Sequence, residues 1–188
     1  MSAYPVYPIR RAAVVGVALL ILPALLGAQE PTAGRASPPC SATQHREFDF
    51  WLGDWEVRSR EGQVLGRNSI TRIAACGLLE SWRGAGGGEG VSVNAYDPAR
   101  GKWTQRWVGA GGAVLWLEGG LSDGAMVLTG TMMRRTPRGG VMDRLSWTPM
   151  PEGRIVQAWD TRADDTGPWT RIFEGHYHRL AEQQGGAP

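Results

Sequence analysis

Between Trp51 and Arg179 no interval is long enough to hold a crossover helix. Segments of about 7–10 residues follow one another, broken by Glu61-Gly62, Gly84 to Gly88, Asp97-Pro98, Gly109 to Gly112, Asp123-Gly124, Pro137 to Gly140, Pro151 to Gly153 and Asp164 to Gly167. Gly, Pro and Asp are turn residues, and links this short join antiparallel neighbours, whereas a parallel pair needs a much longer connection. The pattern predicts strands near 51–60, 64–74, 77–84, 90–96, 102–109, 113–120, 125–134, 141–148, 154–161 and 168–179. An open sheet of that size leaves two bare edges and a face too apolar for water. Closing it removes both problems. The expected fold is all-β: a single antiparallel up-and-down β-barrel of about ten strands, with a short helical turn at 43–50 plugging one end. A two-sheet sandwich is the alternative. The regular spacing, with no long Greek-key return, favours the barrel.

The first 28 residues differ from the rest. Arg10 and Arg11 end a basic stretch, Ala12 to Gly27 is almost continuously apolar, and Gly27-Ala28 offers small residues before Gln29. This is the order of a secretory signal peptide, with export to the periplasm or the exterior. The alternative, an uncleaved anchor, is weaker: about 16 apolar residues at ~1.5 Å each reach only about 24 Å, short of a ~30 Å hydrocarbon core, and Pro23 interrupts the helix. No lipobox precedes Cys40, which follows Pro38-Pro39. Residues 29–39 read as a flexible tether, 40–180 as the barrel domain and 181–188 as a disordered tail. The chain has 20 Lys plus Arg against 18 Asp plus Glu; without Arg10 and Arg11 the balance is even. A near-neutral chain lacking basic runs disfavours non-specific nucleic-acid binding. Cys40 and Cys76 are the two cysteines. Cys40 precedes the first strand and Cys76 follows the second, so in an exported chain a disulfide between them is expected, two buried thiols being the alternative.

Alternation along a strand divides it into two faces. In 102–108 the charged set Lys102, Thr104 and Arg106 belongs outside, which places Trp103, Gln105 and Trp107 inside. The same division pairs Glu80 with Trp82, Ser92 with Asn94 and Gln157 with Trp159. Trp116 with Glu118 and Arg144 with Ser146 are added on weaker alternation, and Tyr177 on the last strand. Each strand thus offers one large aromatic and one polar group to the interior. Burying an amide or carboxylate without a partner costs roughly 1–3 kcal/mol, so this pattern predicts a solvated or ligand-filled cavity suited to an apolar or aromatic small molecule. The bland alternative is a Trp-rich core over a mutually satisfied polar network. Glu80 and Arg144 are the inward charges, either partners of one another or holders of opposite ends of a ligand. Burial of Glu80 would raise its pKa and fit it for acid–base work, which makes a barrel enzyme using Glu80 and Arg144 the second hypothesis. A ligand-free structural or partner-binding module of the cell envelope is the third.

Gly53-Asp54-Trp55 at the head of the first strand, with Thr170 to Glu174 on the last, resembles the calycin pattern of lipocalins and fatty-acid-binding proteins. That resemblance implies that Trp55 closes one barrel end under a basic residue of the last strand, Arg171 or Arg179. The longer run Phe48 to Val57, with Cys76, Glu80-Ser81-Trp82, Trp103 to Trp107, Gln157-Ala158-Trp159 and Gly175-His176-Tyr177, resembles an uncharacterised family of exported bacterial proteins and implies a lipocalin-like barrel without an assigned activity. Ten strands exceed the eight of a lipocalin and approach the count of fatty-acid-binding proteins and haem-binding nitrobindins. A haem needs an inward histidine. His176 and His178 share a face with Glu174, opposite Phe173 and Tyr177, and His45 precedes the first strand, so no cofactor is expected. No metal site is expected either: His176, His178 and Glu174 lie on an exposed face, and Asp160, Asp164 and Asp165 read as turn chemistry. The Gly84–Gly90 run lacks the Lys-Ser/Thr ending of a phosphate loop and reads as a hairpin at the barrel mouth. No nucleophile elbow is present.

Overall fold

A computed structural model describes residues 39–130, 134–136, 139–164 and 166–181. The segment expected to be a signal peptide, all of the expected tether but Pro39, the expected tail beyond Ala181, and Asp165 lie outside the described residues. Eleven strands follow two short 3-10 turns, Thr43–Arg46 and Asp49–Trp51: β1 Gly53–Arg58, β2 Val64–Ile73, β3 Gly77–Gly84, β4 Glu89–Asp97, β5 Lys102–Gly109, β6 Val114–Ser122, β7 Ala125–Gly130, β8 Arg134–Thr136, β9 Gly139–Pro149, β10 Ile155–Arg162 and β11 Thr170–Arg179. Each strand pairs antiparallel with its sequence neighbour, except that β7 pairs with β9, and β8 only flanks the start of β9. Pairing of β11 with β1, Trp55 opposite Arg179, and of β9 with β10 closes the ring. The result is the expected closed up-and-down barrel of ten strands. No helix of the described residues is long and apolar enough to cross a membrane.

The two ends differ. Gly53, Ile73 and Gly77 lie at the end that carries the 3-10 turns, and Arg58, Gly84, Gly90, Gly109 and Thr170 at the other. At the first end Phe48 and Trp51, fully buried and stacked at 4.8 Å, fill the bore against Trp103 and Trp147. Met126, Leu128 and Leu78 complete this plug. An aromatic side chain removes some 150–250 Å² from water, so four of them in one layer supply much of the burial that holds the domain together.

Six bonds among the described residues fasten the plug. Cys40 and Cys76 form the expected disulfide, tying the segment before the first turn to the β2–β3 corner. Trp55 Nε1 donates to Trp51 O at 2.9 Å and Trp103 Nε1 to Gln44 O at 3.1 Å. Arg46 donates to Ala75 O, and Arg72 pairs with Asp49 at 2.6 Å. Arg179 lies 4.3 Å over the Trp55 ring and donates to Leu52 O. Gly53 adopts φ +124°, and a Cβ there would stand 2.3 Å from the Arg179 guanidinium, so the glycine is what lets the arginine reach across.

Arg171, the other candidate for that role, is at the opposite end of β11. The register slips by one residue between Trp159 and Asp160, so Ile172 is skipped and Arg171 turns outward. There it bonds Asp160 at 2.6 Å and Glu174 at 2.6 Å.

Candidate functional site

Above the plug the inward residues turn polar. Glu80 of β3 is the centre of a network drawn from six strands. Its Oε1 accepts from Asn68 Nδ2 at 2.8 Å and its Oε2 from Ser92 Oγ at 2.6 Å. Asn94 Nδ2 donates to Ser92 Oγ at 2.8 Å, and Gln105 Nε2 donates to Asn94 Oδ1 at 2.8 Å. On the other side Asn68 Nδ2 reaches Tyr177 at 3.1 Å, and the Tyr177 hydroxyl donates to Gln157 Oε1 at 2.6 Å. Alternation puts these groups on one face, and the antiparallel register sets Glu80 opposite Ser92 and Asn94 opposite Gln105.

Among the described residues no basic side chain enters the network, and Glu80 is 4% exposed. Burial therefore raises its pKa to about 7, and the hydrogen bonds from Ser92 and Asn68 offset only part of the rise. Burial, and then the neighbouring Glu80 charge, hold the Tyr177 phenol well above its ordinary range, so it stays a donor at every working pH. Two acceptors in this layer, Gln105 Oε1 and Asn68 Oδ1, are buried with no hydrogen-bond partner among the described residues. Buried acceptors of this kind are rare in a finished core.

Between this layer and the rim lies a cavity of about 150 Å³. Its base is Glu80, Gln105, Gln157 and Tyr177; its walls are Trp82, Trp107, Trp159 and Phe173, with Leu115 and Leu145. The wall aromatics are half-buried and frame the opening. Three of them lie close against glycines. A Cβ on Gly90 would meet the Trp107 ring at 2.0 Å, one on Gly66 the Trp82 ring at 2.7 Å, and one on Gly175 the Phe173 ring at 2.9 Å. The glycines withdraw the rings toward the wall and so leave the middle vacant. Trp159 is held by a bond of 2.8 Å from its Nε1 to Asp143.

Of the residues expected to line a cavity, Glu80, Trp82, Gln105, Trp107, Gln157, Trp159 and Tyr177 do so. Ser92 and Asn94 are buried just behind, in the network. Trp103 belongs to the plug. Trp116 is a correction: it is 45% exposed and stacks outside under Arg106, 3.3 Å from guanidinium to ring centre. Leu115 and Leu117 take the inner face of β6, while Glu118 is drawn outward by Arg100 and by Lys102 at 2.8 Å. Arg144 is a second correction. The inner face of β9 carries Asp143, Leu145 and Trp147, so Arg144 points outward, pairs with Asp160 at 3.1 Å and lies over Trp169 at 4.4 Å. It is not the partner of Glu80.

Sequence reasoning missed Asn68, Phe173, Leu145 and Asp143. For Asn68 the signal was present, since Gly66, Asn68 and Ile70 alternate with Arg67, Ser69 and Thr71. Asp164 caps its turn by accepting from the Thr166 amide at 2.9 Å. His176 faces outward and bonds Glu174 at 3.1 Å. Side-chain ligand atoms of Cys40, His45 and Cys76 come within 4.8 Å, but the two sulfurs are spent on one another. No protein-family model matches the chain, and no curated protein matches it.

Proposed function

We propose that the protein is an exported barrel that binds one small, partly apolar or aromatic molecule in the cavity between the Glu80 network and the tryptophan rim. The carrying observation is the cavity itself: about 150 Å³, walled by four aromatic rings and based on a carboxyl, two amides and a phenol. A cavity of roughly this volume is known to take a benzene-sized molecule, and apolar walls with a few convergent polar groups are the usual composition of a ligand site. The signal-like segment and the disulfide support export, since such bonds persist in oxidising compartments. The resemblance to lipocalin-type and exported bacterial barrels supports the same reading.

The test is ¹⁵N–¹H spectroscopy of the tryptophan indoles during titration with toluene and cyclohexanol. Saturable shifts are expected for Trp82, Trp107 and Trp159, and none for Trp116 and Trp169 on the outer surface. Filling the space with Leu145→Trp abolishes them. Absence of any saturable shift at the three rim indoles overturns the proposal.

Glu80 favours a second reading, a barrel enzyme. It faces the cavity with a pKa of about 7, the value suited to proton transfer near neutrality. Arg144 takes no part. Turnover of a substrate by the native chain that is lost in Glu80→Gln with binding retained would establish it.

A further inference from the structure

The polarity of the cavity is one-sided. Among the described residues its lining holds a carboxyl group and no lysine, arginine or histidine. The neighbours of Glu80 in the network, Asn68 and Ser92, bring no positive charge. Each carboxylate oxygen accepts one bond from the protein and keeps lone-pair capacity for another. Gln105 Oε1, at the cavity base and 1% exposed, accepts nothing from any described residue. Above these acceptors stand the rings of Trp82, Trp107, Trp159 and Phe173, and an aromatic ring carries negative potential on its faces.

Each of these features favours the same kind of guest. A cation gains from the carboxylate and from aromatic faces together, most strongly where water is excluded. An N–H-bearing cation also supplies donors for the unused acceptors. An anion would meet the Glu80 charge with nothing to offset it. A neutral hydrocarbon would leave the acceptors unpaired. We propose that the cavity takes a small organic ammonium ion, its N–H groups directed at Glu80 and Gln105 and its apolar body held among the rim tryptophans. The proposal rests on the cavity being a binding site and adds the charge of its occupant. Its size admits a body of about one ring, which excludes long-chain amines from full enclosure.

The experiment is calorimetry on the full chain with three probes of matched shape: benzylamine, benzyl alcohol and benzoate. At pH 8 benzylammonium is expected to bind about tenfold or more tighter than the alcohol, the scale of one desolvated cation–π contact with its counter-charge, and benzoate is expected not to bind. Glu80→Gln brings benzylammonium down to the level of the alcohol. Because that variant alters a buried network, a second measurement on the native chain accompanies it: benzylammonium affinity at pH 5 and at pH 8. Tyr177 is the other titratable group lining the cavity and stays neutral across this range. Affinity should therefore fall at pH 5, where Glu80 is uncharged. Equal or better binding of the alcohol or benzoate overturns the ammonium assignment. So does a benzylammonium affinity indifferent to both pH and Glu80→Gln. If no benzyl probe binds while toluene still shifts the rim indoles, the ammonium assignment fails and the cavity reading stands. If toluene fails as well, both fall.

Discussion

At the scale of single residues, Glu80 makes the protein's stability depend on pH in an unusual direction. Its folded pKa of about 7 lies above the ordinary 4.5. Below 4.5 the carboxyl is protonated whether the chain is folded or not. Between 4.5 and about 7 the folded chain keeps a proton that the unfolded chain releases, so stability falls as pH rises through that window. Above it the loss is complete, at roughly 3 kcal/mol. Glu61, Glu118, Asp164 and Glu174 on the surface are shifted downward and act in the opposite sense, at lower pH. Glu174, for example, is held low first by its hydrogen bond from Arg60. Urea midpoints of the native chain and of Glu80→Gln at pH 5 and pH 8 check this: the variant should gain on the native chain by that amount at the higher pH. An unchanged difference means that Glu80 is ionised in the folded state throughout. Gly90 is equally specific. In Gly90→Ala the new methyl group drives the Trp107 ring off its seat and into the cavity, at a cost of about 1–3 kcal/mol. The toluene-dependent shifts weaken with it. Gly88→Ala, which meets nothing within 4 Å, should be neutral in both.

Among the elements, the two 3-10 turns carry the greatest burden for their length. They are too short to be stable alone. They stay in place because they are fastened to the strands: the Trp51 carbonyl through Trp55, the Gln44 carbonyl through Trp103, the Asp49 carboxylate through Arg72, and the preceding Cys40 through Cys76. The disulfide closes a loop of 36 residues containing both turns and all of β1 and β2. Chain-entropy reasoning assigns such a loop about 3–4 kcal/mol. The double variant Cys40→Ser with Cys76→Ser should lose that much in equilibrium unfolding, and reduction of the native chain should give the same loss. Should neither treatment move the midpoint, the aromatic layer alone holds the plug. On β6 and β9 the outward placement of Trp116 and Arg144 shows how a strand chooses its face. A leucine pair on β6, and Leu145 with Trp147 on β9, gain more from burial than one tryptophan or arginine that finds a partner outside.

For the molecule as a whole, the architecture was readable because turn residues recur at every corner and leave no room for anything but neighbour-to-neighbour pairing. The cavity was readable on β3, β4 and β5, where charged residues such as Lys102 and Arg106 mark the outside plainly. It was misread where the charges have aromatic or acidic partners on the exterior, as at Trp116 and Arg144. It was also misread where a bulge reverses parity: Arg171 shares odd spacing with Phe173 and Tyr177, but the skipped Ile172 turns it outward. Pairings across the bore, such as Asn68 with Tyr177, depend on closure and have no local signature. The stapled, aromatic-filled end has a consequence for traffic. Among the described residues the barrel is a flask whose neck is the aromatic rim. A guest bound as proposed would leave by the way it came, two guests could not pass, and any substituent too long for the chamber would have one direction in which to protrude.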